Sequence, residues 1–305
     1  MARARALTRR AVLRLMAAAA AAGPAGAAAA PILQRPIPSS GENIPAIGLG
    51  TWRTFDVGPS AAEREPLGEV LRRFVELGGR VIDSSPMYGT AESVAGDLAA
   101  DQGVTERLFL ATKVWTSGRE AGIAQMEQSL RRLRGRRLDL LQIHNLLDWK
   151  THLRTLREWK QAGRVRYVGI THYTASAYEE LERVLRAEPL DFVQLNYSLG
   201  ERQAEQRILP LARERGVAVL VNRPFSEGGL FQRVRGRPLP AGAAELGCES
   251  WAQVFLKWIL AHPAVTCVIP ATSRPQHLVD NMKAGIGPLP DAAARARLAE
   301  LVAAG

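Results

Sequence analysis

Cysteine is scarce in this chain: only Cys248 and Cys267 occur among 305 residues. Two thiols so far apart are too few for a metal cluster or a disulfide framework. Cys267 lies in an apolar run and is predicted to be a buried free thiol, although an oxidising compartment would permit a bond between the two. The sequence also lacks G-x-G-x-x-G after a predicted strand and G-x-x-x-x-G-K-[ST], which excludes the Rossmann and P-loop phosphate motifs.

Acidic residues are absent from the first thirty positions, which hold five arginines and fifteen alanines. A basic start, a mildly apolar run at 15–22 and small residues at 25–27 are the three parts of an export signal. The pair Arg9-Arg10 ahead of the apolar run resembles a twin-arginine signal, and the segment is too short to span a membrane. We therefore expect residues 1–30 to be a signal peptide read by the twin-arginine (Tat) export machinery, and the protein to be periplasmic or otherwise exported. A low-complexity alanine helix is the alternative.

The formal charge of +10 would by itself suggest a nucleic-acid or membrane-surface partner. Without residues 1–30, however, 35 basic residues stand against 30 acids, which leaves +5. The arginines at 131–137 crowd a predicted helix end, where cations favour the helix dipole, and no aromatic residues are interleaved for base stacking. We expect no nucleic-acid partner, no stable membrane anchor and a monomer.

From residue 31 onward, short apolar runs alternate with longer amphipathic stretches, the pattern of β-α units on a parallel sheet. The predicted strands are 46–50, 80–84, 108–113, 138–144, 165–171, 191–195, 217–221 and 265–269. The predicted helices are 61–78, 91–101, 119–134, 150–162, 175–187, 203–215, 249–262 and 275–285. This count predicts an α/β fold, a (β/α)8 TIM barrel over 31–305, with an N-terminal hairpin at 32–46 and a C-terminal extra helix at 290–303.

The active site of such a barrel is built at the carboxyl ends of its strands. Four ionisable residues occupy or closely follow those ends: Asp83, Tyr88, Lys113 and His144. Each alone could be structural, as a helix cap, a solvated strand end or a core histidine. Together they are harder to dismiss, because a buried Asp-Lys pair is costly to desolvate. A cation beside Tyr88 would favour the phenolate and lower its pKa from about 10, which would prepare Tyr88 as a general acid.

With these four residues, the sequence resembles the aldo-keto reductase superfamily over about 44–287. The matching runs are 48–52, 83–89, 112–113, 143–144, 164–171, 194–197 and 268–270, with Asn281. The resemblance implies that hydride from a nicotinamide cofactor reduces an aldehyde or ketone, without a metal. Tyr88 would protonate the carbonyl oxygen, His144 would orient the carbonyl, and Lys113, held by Asp83, would lower the pKa of the tyrosine. The developing oxyanion would then meet preorganised donors.

The resemblance transfers less evenly at the cofactor site. Thr171-His172 stands where the family has a Ser-Asn pair that holds the carboxamide, and Gln194 matches. The run 222–225 replaces an aromatic-Ser-Pro-Leu sequence, so the ring that stacks on nicotinamide is absent there. The predicted cofactor-binding residues are Gly50, Thr51, Trp52, Asp83, Thr171, His172, Gln194, Asn222, Arg223, Pro224, Phe225, Ser226, Thr272, Ser273, Arg274, His277 and Asn281.

At the adenosine end, Arg274 and His277 stand where a 2′-phosphate could be met. A basic residue there favours NADPH, with NADH as the alternative. Trp115 and Trp149, just beyond Lys113 and His144, are predicted to form an apolar substrate wall, with surface packing as the alternative. The glycine-rich segment 226–247 is predicted to be a loop over the pocket.

These observations predict an exported, NADPH-dependent reductase of a small-molecule carbonyl substrate. The alternative is a redox sensor or binding protein of the same fold that retains its cofactor and turns over slowly, because the stacking ring is missing and a periplasm holds no free NADPH. A metal-dependent hydrolase is disfavoured, because His144 lacks nearby His or carboxylate ligands on adjacent strand ends.

Overall fold

The computed structural model describes residues 31–303, and the predicted export signal lies outside that range. The strands are β1 (Gln34–Pro36), β2 (Asn43–Pro45), β3 (Leu49–Gly50), β4 (Val81–Asp83), β5 (Phe109–Val114), β6 (Leu138–His144), β7 (Val165–Thr171), β8 (Phe192–Asn196), β9 (Ala218–Asn222) and β10 (Cys267–Val268). The helices are α1 (Ala61–Glu76), α2 (Ala91–Asp101), α3 (Arg119–Arg132), α4 (Trp149–Gln161), α5 (Tyr178–Ala187), α6 (Ile208–Glu214), α7 (Gly229–Arg233), α8 (Trp251–Leu260), α9 (Pro275–Lys283) and α10 (Ala292–Ala303).

Strands β3 to β10 form one parallel sheet whose spatial order is the chain order. Two parallel bridges, Ile47 to Val268 and Gly50 to Ala271, join the residues around β3 to those around β10, so the sheet curls back on itself. The prediction of an α/β fold is confirmed, and the curled eight-stranded sheet is consistent with a (β/α)8 barrel. The segment predicted as a hairpin pairs β1 with β2 in antiparallel register, and α10 occupies the predicted C-terminal helix.

The inside of the curled sheet holds its own apolar cluster, separate from the larger core between strands and helices. Phe109, Tyr167 and Phe192 pack there with ring centroids 5.6 to 6.1 Å apart. Ile37 and Ile44, on either side of the β1–β2 turn, are fully buried in the same cluster. The hairpin therefore fills the amino-terminal end of the sheet and leaves the carboxyl end for a site.

Side chains alternate between the two faces of each strand, which determines which of them point to the inside of the curled sheet. Side chains two residues apart lie on the same face of a strand, so Val81 and Asp83 share the inner face of β4, as Phe109 and Lys113 share that of β5. The inner face of β6 likewise carries His144 at its last position. Inside the sheet, apolar side chains thus fill the part nearer the amino ends of the strands. Polar side chains occupy the inward positions at the carboxyl ends.

Some predicted boundaries need correction. The segment 226–247 is not all loop, because it begins with a 3₁₀ turn (Ser226–Gly228) and the short helix α7. Burial of Leu230 and packing of Phe231 against Phe225 and Phe255 explain that local order. The predicted helix at 203–215 is divided into a 3₁₀ turn (Gln203–Glu205) and α6.

Both cysteines are buried free thiols, as predicted for Cys267, and burial raises the pKa of each. No helix within residues 31–303 is long and apolar enough to cross a membrane.

Candidate active site

A cavity of about 660 Å³ opens at the carboxyl ends of the strands. Many of the residues predicted for catalysis, cofactor or substrate line it: Gly50, Thr51, Trp52, Asp83, Tyr88, Trp115, His144, Thr171, Gln194, Asn222, Arg223, Pro224 and Phe225. The structure therefore brings together, around one cavity, predicted residues from seven of the eight strands or the loops that follow them, and Ile269 and Ala271 after β10 line it as well.

The four predicted catalytic residues are neighbours. Lys113 is fully buried, and its Nζ donates hydrogen bonds to Asp83 Oδ2 at 2.6 Å and to the Ser84 carbonyl oxygen at 2.7 Å. The same Nζ lies 5.1 Å from the centre of the Tyr88 ring. The Tyr88 and His144 rings meet edge to face, with centroids 5.9 Å apart. A phenol and an imidazole at the cavity wall thus lie beside a buried cation.

Asp83 is held from two further directions that the sequence analysis missed. Its Oδ1 accepts hydrogen bonds from Gln194 Nε2 at 3.0 Å and from Gln142 Nε2 at 3.2 Å. Burial acts to lower the pKa of Lys113, but the charge and hydrogen bond of Asp83, together with the neighbouring Tyr88, outweigh burial and raise it above the usual value. Lys113 therefore remains an ammonium in a site without solvent.

The predicted lowering of the Tyr88 pKa is wrong for this structure. Burial raises the pKa of the phenol above its usual value; the Lys113 charge opposes this increase, and the Asp83 charge adds to it. The cation beside Tyr88 favours the phenolate, but desolvation of the partly buried ring disfavours it more strongly. As a result Tyr88 is protonated at neutral pH, the form that a proton donor requires.

His144 is uncharged in this setting. Burial lowers its pKa to about 2, and the positive charges of Lys113 and of protonated His172 act in the same direction. The Nδ1 atom lies 3.0 Å from Ser85 Oγ, a contact that the sequence analysis did not anticipate. A neutral imidazole carries a single N–H, so it can offer one hydrogen bond to a ligand in the cavity.

The wall formed by β7, β8 and β9 fits a ligand that carries N–H donors. Gln194 Oε1 accepts from Thr171 Oγ1 at 3.3 Å, and Asn222 Nδ2 lies 3.5 Å from the same oxygen. The side-chain oxygens of Asn222 and Asn145 are buried without a hydrogen-bond partner among the described residues. A buried acceptor without a partner is costly. The carboxamide of nicotinamide has the donors to satisfy such an acceptor, so these residues fit the cofactor that the sequence predicts.

Several predicted residues do not line the cavity. Lys113 lies beneath it, and His172 turns its Nδ1 to the Thr174 N–H at 3.2 Å. Trp149 begins α4 and packs against the core, so of the two predicted substrate tryptophans only Trp115 lies at the cavity. The others that do not line it are Ser226, Thr272, Ser273, Arg274, His277 and Asn281, the last five in the segment that leads into and forms α9.

The mouth of the cavity is apolar. Trp52, Met87, Trp115, Tyr173 and Phe231 line it, and each is 36 to 48% exposed. They make up five of the seven large hydrophobic side chains that are exposed within residues 31–303. Exposed apolar side chains gathered around one cavity are typical of a binding surface. Only Trp52 and Trp115 were anticipated from the sequence.

The described residues contain no group of three or more His, Cys, Asp or Glu side chains arranged to hold a metal ion.

Comparison with known proteins gives consistent matches. The family model described as "Aldo/keto reductase family" matches residues 46–296. A methylglyoxal reductase of Escherichia coli (strain K12), YeaE, is 30% identical over 259 residues, which are 81% of this chain and 88% of that protein. A glyoxal reductase of Bacillus subtilis (strain 168) is 26% identical over 79% of this chain and 83% of its own length.

Among solved structures, an aldo/keto reductase from Klebsiella pneumoniae in complex with NADP and acetate superimposes with a TM-score of 0.73. Its sequence identity is 26%, and the match covers 89% of this chain and 96% of that one.

Proposed function

From its membership of the aldo/keto reductase family, we propose that this chain reduces an aldehyde or ketone to an alcohol with NADPH. Family membership makes it an oxidoreductase that acts on carbonyl or alcohol groups. The observation that carries the proposal is the wall where Tyr88, His144 and the buried Asp83–Lys113 pair meet at one cavity. NADPH is preferred to NADH because Arg274 and His277 stand near the start of α9, and because the Klebsiella pneumoniae relative binds NADP.

NADPH, when bound, supplies the hydride. Thr171, Gln194 and Asn222 would hold its carboxamide, because they offer a hydroxyl, an amide and a buried acceptor without a partner. Arg223 and Arg274 would meet its phosphates as cations. The missing stacking ring at 222 leaves the face of the nicotinamide to other residues of the cavity.

The chain's own residues would move the proton. The Tyr88 O–H donates a proton to the carbonyl oxygen as negative charge develops on it, which leaves a phenolate above the Lys113 ammonium. Asp83 keeps that ammonium charged and in place, and Gln142 and Gln194 hold Asp83. The neutral His144 ring donates a hydrogen bond to the same oxygen and orients it. Donors fixed in advance around a developing oxyanion supply a large part of the rate enhancement.

The test is a steady-state assay of NADPH oxidation with purified protein and a panel of aldehydes and ketones. We expect sustained turnover with stoichiometric alcohol formation. If no carbonyl compound in the panel accelerates NADPH oxidation above the rate without substrate, the proposed function is wrong.

The apolar mouth leads us to propose an apolar, preferably aromatic, carbonyl compound as substrate rather than a small dicarbonyl such as methylglyoxal. We expect Trp115→Ala to raise KM for an aromatic aldehyde about tenfold, since tenfold corresponds to about 1.4 kcal/mol of lost contact. KM for methylglyoxal should change less than twofold. Trp149→Ala is the control, because Trp149 does not line the cavity. Equal changes for both aldehydes, or the same change in the control, would contradict the proposal.

The pKa directions predict a flat pH profile for reduction. Because burial lowers the pKa of His144 to about 2 and raises that of Tyr88, neither group changes protonation near neutral pH. We expect kcat/KM to stay constant from about pH 5 to about pH 9 and to fall only as Tyr88 loses its proton above about pH 10. A limb near pH 6.5 that disappears in His144→Asn would show that His144 titrates normally.

One observation favours the alternative of a cofactor-retaining sensor. Glu227, in the loop after β9, pairs with Arg223 at 3.1 Å and with Arg53, in the loop after β3, at 3.9 Å, so ion pairs link the two loops at the cavity. These side chains are partly exposed, and such pairs contribute about 0 to 1 kcal/mol each. The rate of NADPH release from the purified protein, measured by stopped-flow fluorescence, separates the two functions. A release rate higher than the turnover rate eliminates the sensor.

We also propose that residues 1–30 direct export of the reductase domain at 31–305 through the twin-arginine system. The support is compositional: Arg9-Arg10 precede a weakly apolar run, and no acid occurs in the segment. We expect the wild-type protein in the periplasmic fraction and an Arg9→Lys/Arg10→Lys double variant in the cytoplasm, by fractionation and immunoblot. If both forms stay cytoplasmic, the export proposal fails.

A further inference from the structure

Ser85 lies between the two residues that would share the substrate's oxygen. It follows β4 by two residues, is fully buried, and its Oγ is 3.0 Å from His144 Nδ1. Its carbonyl oxygen accepts from the Tyr88 N–H at 3.0 Å, which closes the turn that carries the phenol. Ser85 therefore contacts both His144, at the end of β6, and the turn that carries Tyr88.

The hydrogen of the Ser85 hydroxyl is free to be donated. The Met87 N–H points at Ser85 Oγ from 3.4 Å and so occupies one of its lone pairs. Within residues 31–303, Ser85 is the only hydrogen-bond partner of the His144 side chain. The ring is otherwise flanked by Tyr88 and Trp115, with centroids 5.9 and 6.4 Å away. The groups that bear positive charge towards it are Lys113 and, when protonated, His172.

No carboxylate within residues 31–303 forms a hydrogen bond or ion pair with His144, so no acidic group among them fixes its proton. A neutral imidazole places its single hydrogen on either nitrogen, and the hydrogen bond at one nitrogen decides the other. With Nδ1 engaged by Ser85, Nε2 is the nitrogen left for a ligand. If the proton is on Nε2, this nitrogen can donate a hydrogen bond to a carbonyl oxygen. If the proton is on Nδ1, Nε2 instead turns a lone pair toward that oxygen and cannot donate.

We propose that Ser85 is a positioning residue: its hydroxyl donates to Nδ1 of His144 and thereby fixes the imidazole as the tautomer that carries hydrogen on Nε2. The consequence for catalysis rests on the proposed function, since it concerns a carbonyl oxygen bound beside Tyr88. The direction of the hydrogen bond is a property of the protein itself and is measurable without substrate.

The first experiment reads the tautomer by NMR. Full-length protein labelled with ¹⁵N-histidine is studied at neutral pH by long-range ¹H–¹⁵N correlation, with His144→Asn to assign the signals. We expect the wild type and Ser85→Thr to show a protonated Nε2 and a bare Nδ1, and Ser85→Ala to show a mixture. Ser84→Ala is the matched control. The side chain of this adjacent serine accepts a hydrogen bond from Thr51 Oγ1 at 2.9 Å rather than bonding to His144, so the tautomer should stay as in the wild type. A proton on Nδ1 in the wild type, or an unchanged tautomer in Ser85→Ala, overturns the proposal.

The second experiment is kinetic. We expect Ser85→Ala to lower kcat about tenfold with KM changed less than twofold, and Ser85→Thr to restore most of the loss, because the hydroxyl acts on the oxygen only as it becomes negative. A structural defect would move KM and the melting temperature and would not be rescued by threonine. If none of these proteins reduces a carbonyl compound, the proposed function is wrong and the tautomer alone decides the inference. If the wild type turns over and Ser85→Ala matches it in kcat, the inference is wrong and the function stands.

Discussion

Replacing Tyr88 with phenylalanine is expected to lower kcat for carbonyl reduction between about a hundredfold and ten-thousandfold, the range that a general acid contributes. The variant loses a hydroxyl and keeps the ring that packs over Lys113 and against His144. Cofactor affinity should stay within about twofold, because Tyr88 is not among the predicted cofactor-binding residues and the variant keeps its ring. The measurements are steady-state NADPH oxidation and a fluorescence titration with NADPH.

A matched control is Tyr167→Phe. That hydroxyl lies at the opposite end of the sheet and bonds to Ser40 at 2.8 Å and to Glu42 at 2.7 Å, so its removal affects packing near the hairpin and not the cavity. Its kcat should match the wild type. Turnover in Tyr88→Phe within about threefold of the wild type would remove Tyr88 from the chemistry and transfer the proton to another donor.

The sequence was enough to predict the convergence of the site. Asp83, Lys113 and His144 each stand at or near the end of a short, mainly apolar run. Parallel strands of a curled sheet bring their carboxyl ends to one side of the sheet. The predicted limits of β6 and β7 agree with those of the structure. A glycine and arginine precede each of these two strands in the sequence, and a polar residue, Asn145 or His172, follows it. The apolar pattern of the sequence and the strand order together therefore predict much of the arrangement of the site.

The contacts within the site could not be predicted in the same way. Gln142 and Gln194 reach Asp83 across 59 and 111 residues of chain, and their meeting depends on register and tilt around the whole sheet. One signal for Gln142 was available in the sequence. It is a polar residue two positions before His144, so the two side chains lie on the same inner face of β6. The direction of the Tyr88 pKa depended on how deeply the ring is buried, which charge spacing in a sequence does not reveal.

The second large effect concerns stability. Lys113→Met is expected to lower the free energy of unfolding by about 3 to 5 kcal/mol, because it leaves the Asp83 carboxylate buried without its cation. The pair is almost completely removed from water, with side-chain exposures of 0% and 4%, so solvent cannot replace the lost partner. Urea unfolding followed by circular dichroism measures the change, and the melting temperature should fall by about 2 to 4 °C for each kcal/mol.

The double variant Asp83→Asn/Lys113→Met tests the cause of that loss. An asparagine at 83 carries no charge, and its side-chain oxygen can still accept from Gln142 and Gln194, so most of the lost stability should return. Removing both members of a buried ion pair is often nearly neutral, whereas removing one leaves an uncompensated charge. If the double variant is as unstable as Lys113→Met, the packing of the lysine chain and not the charge pair stabilises this wall. A double variant that regains stability and still lacks reductase activity would separate the two roles of Lys113, since the fold needs only a balanced charge there and the proton donor needs the cation.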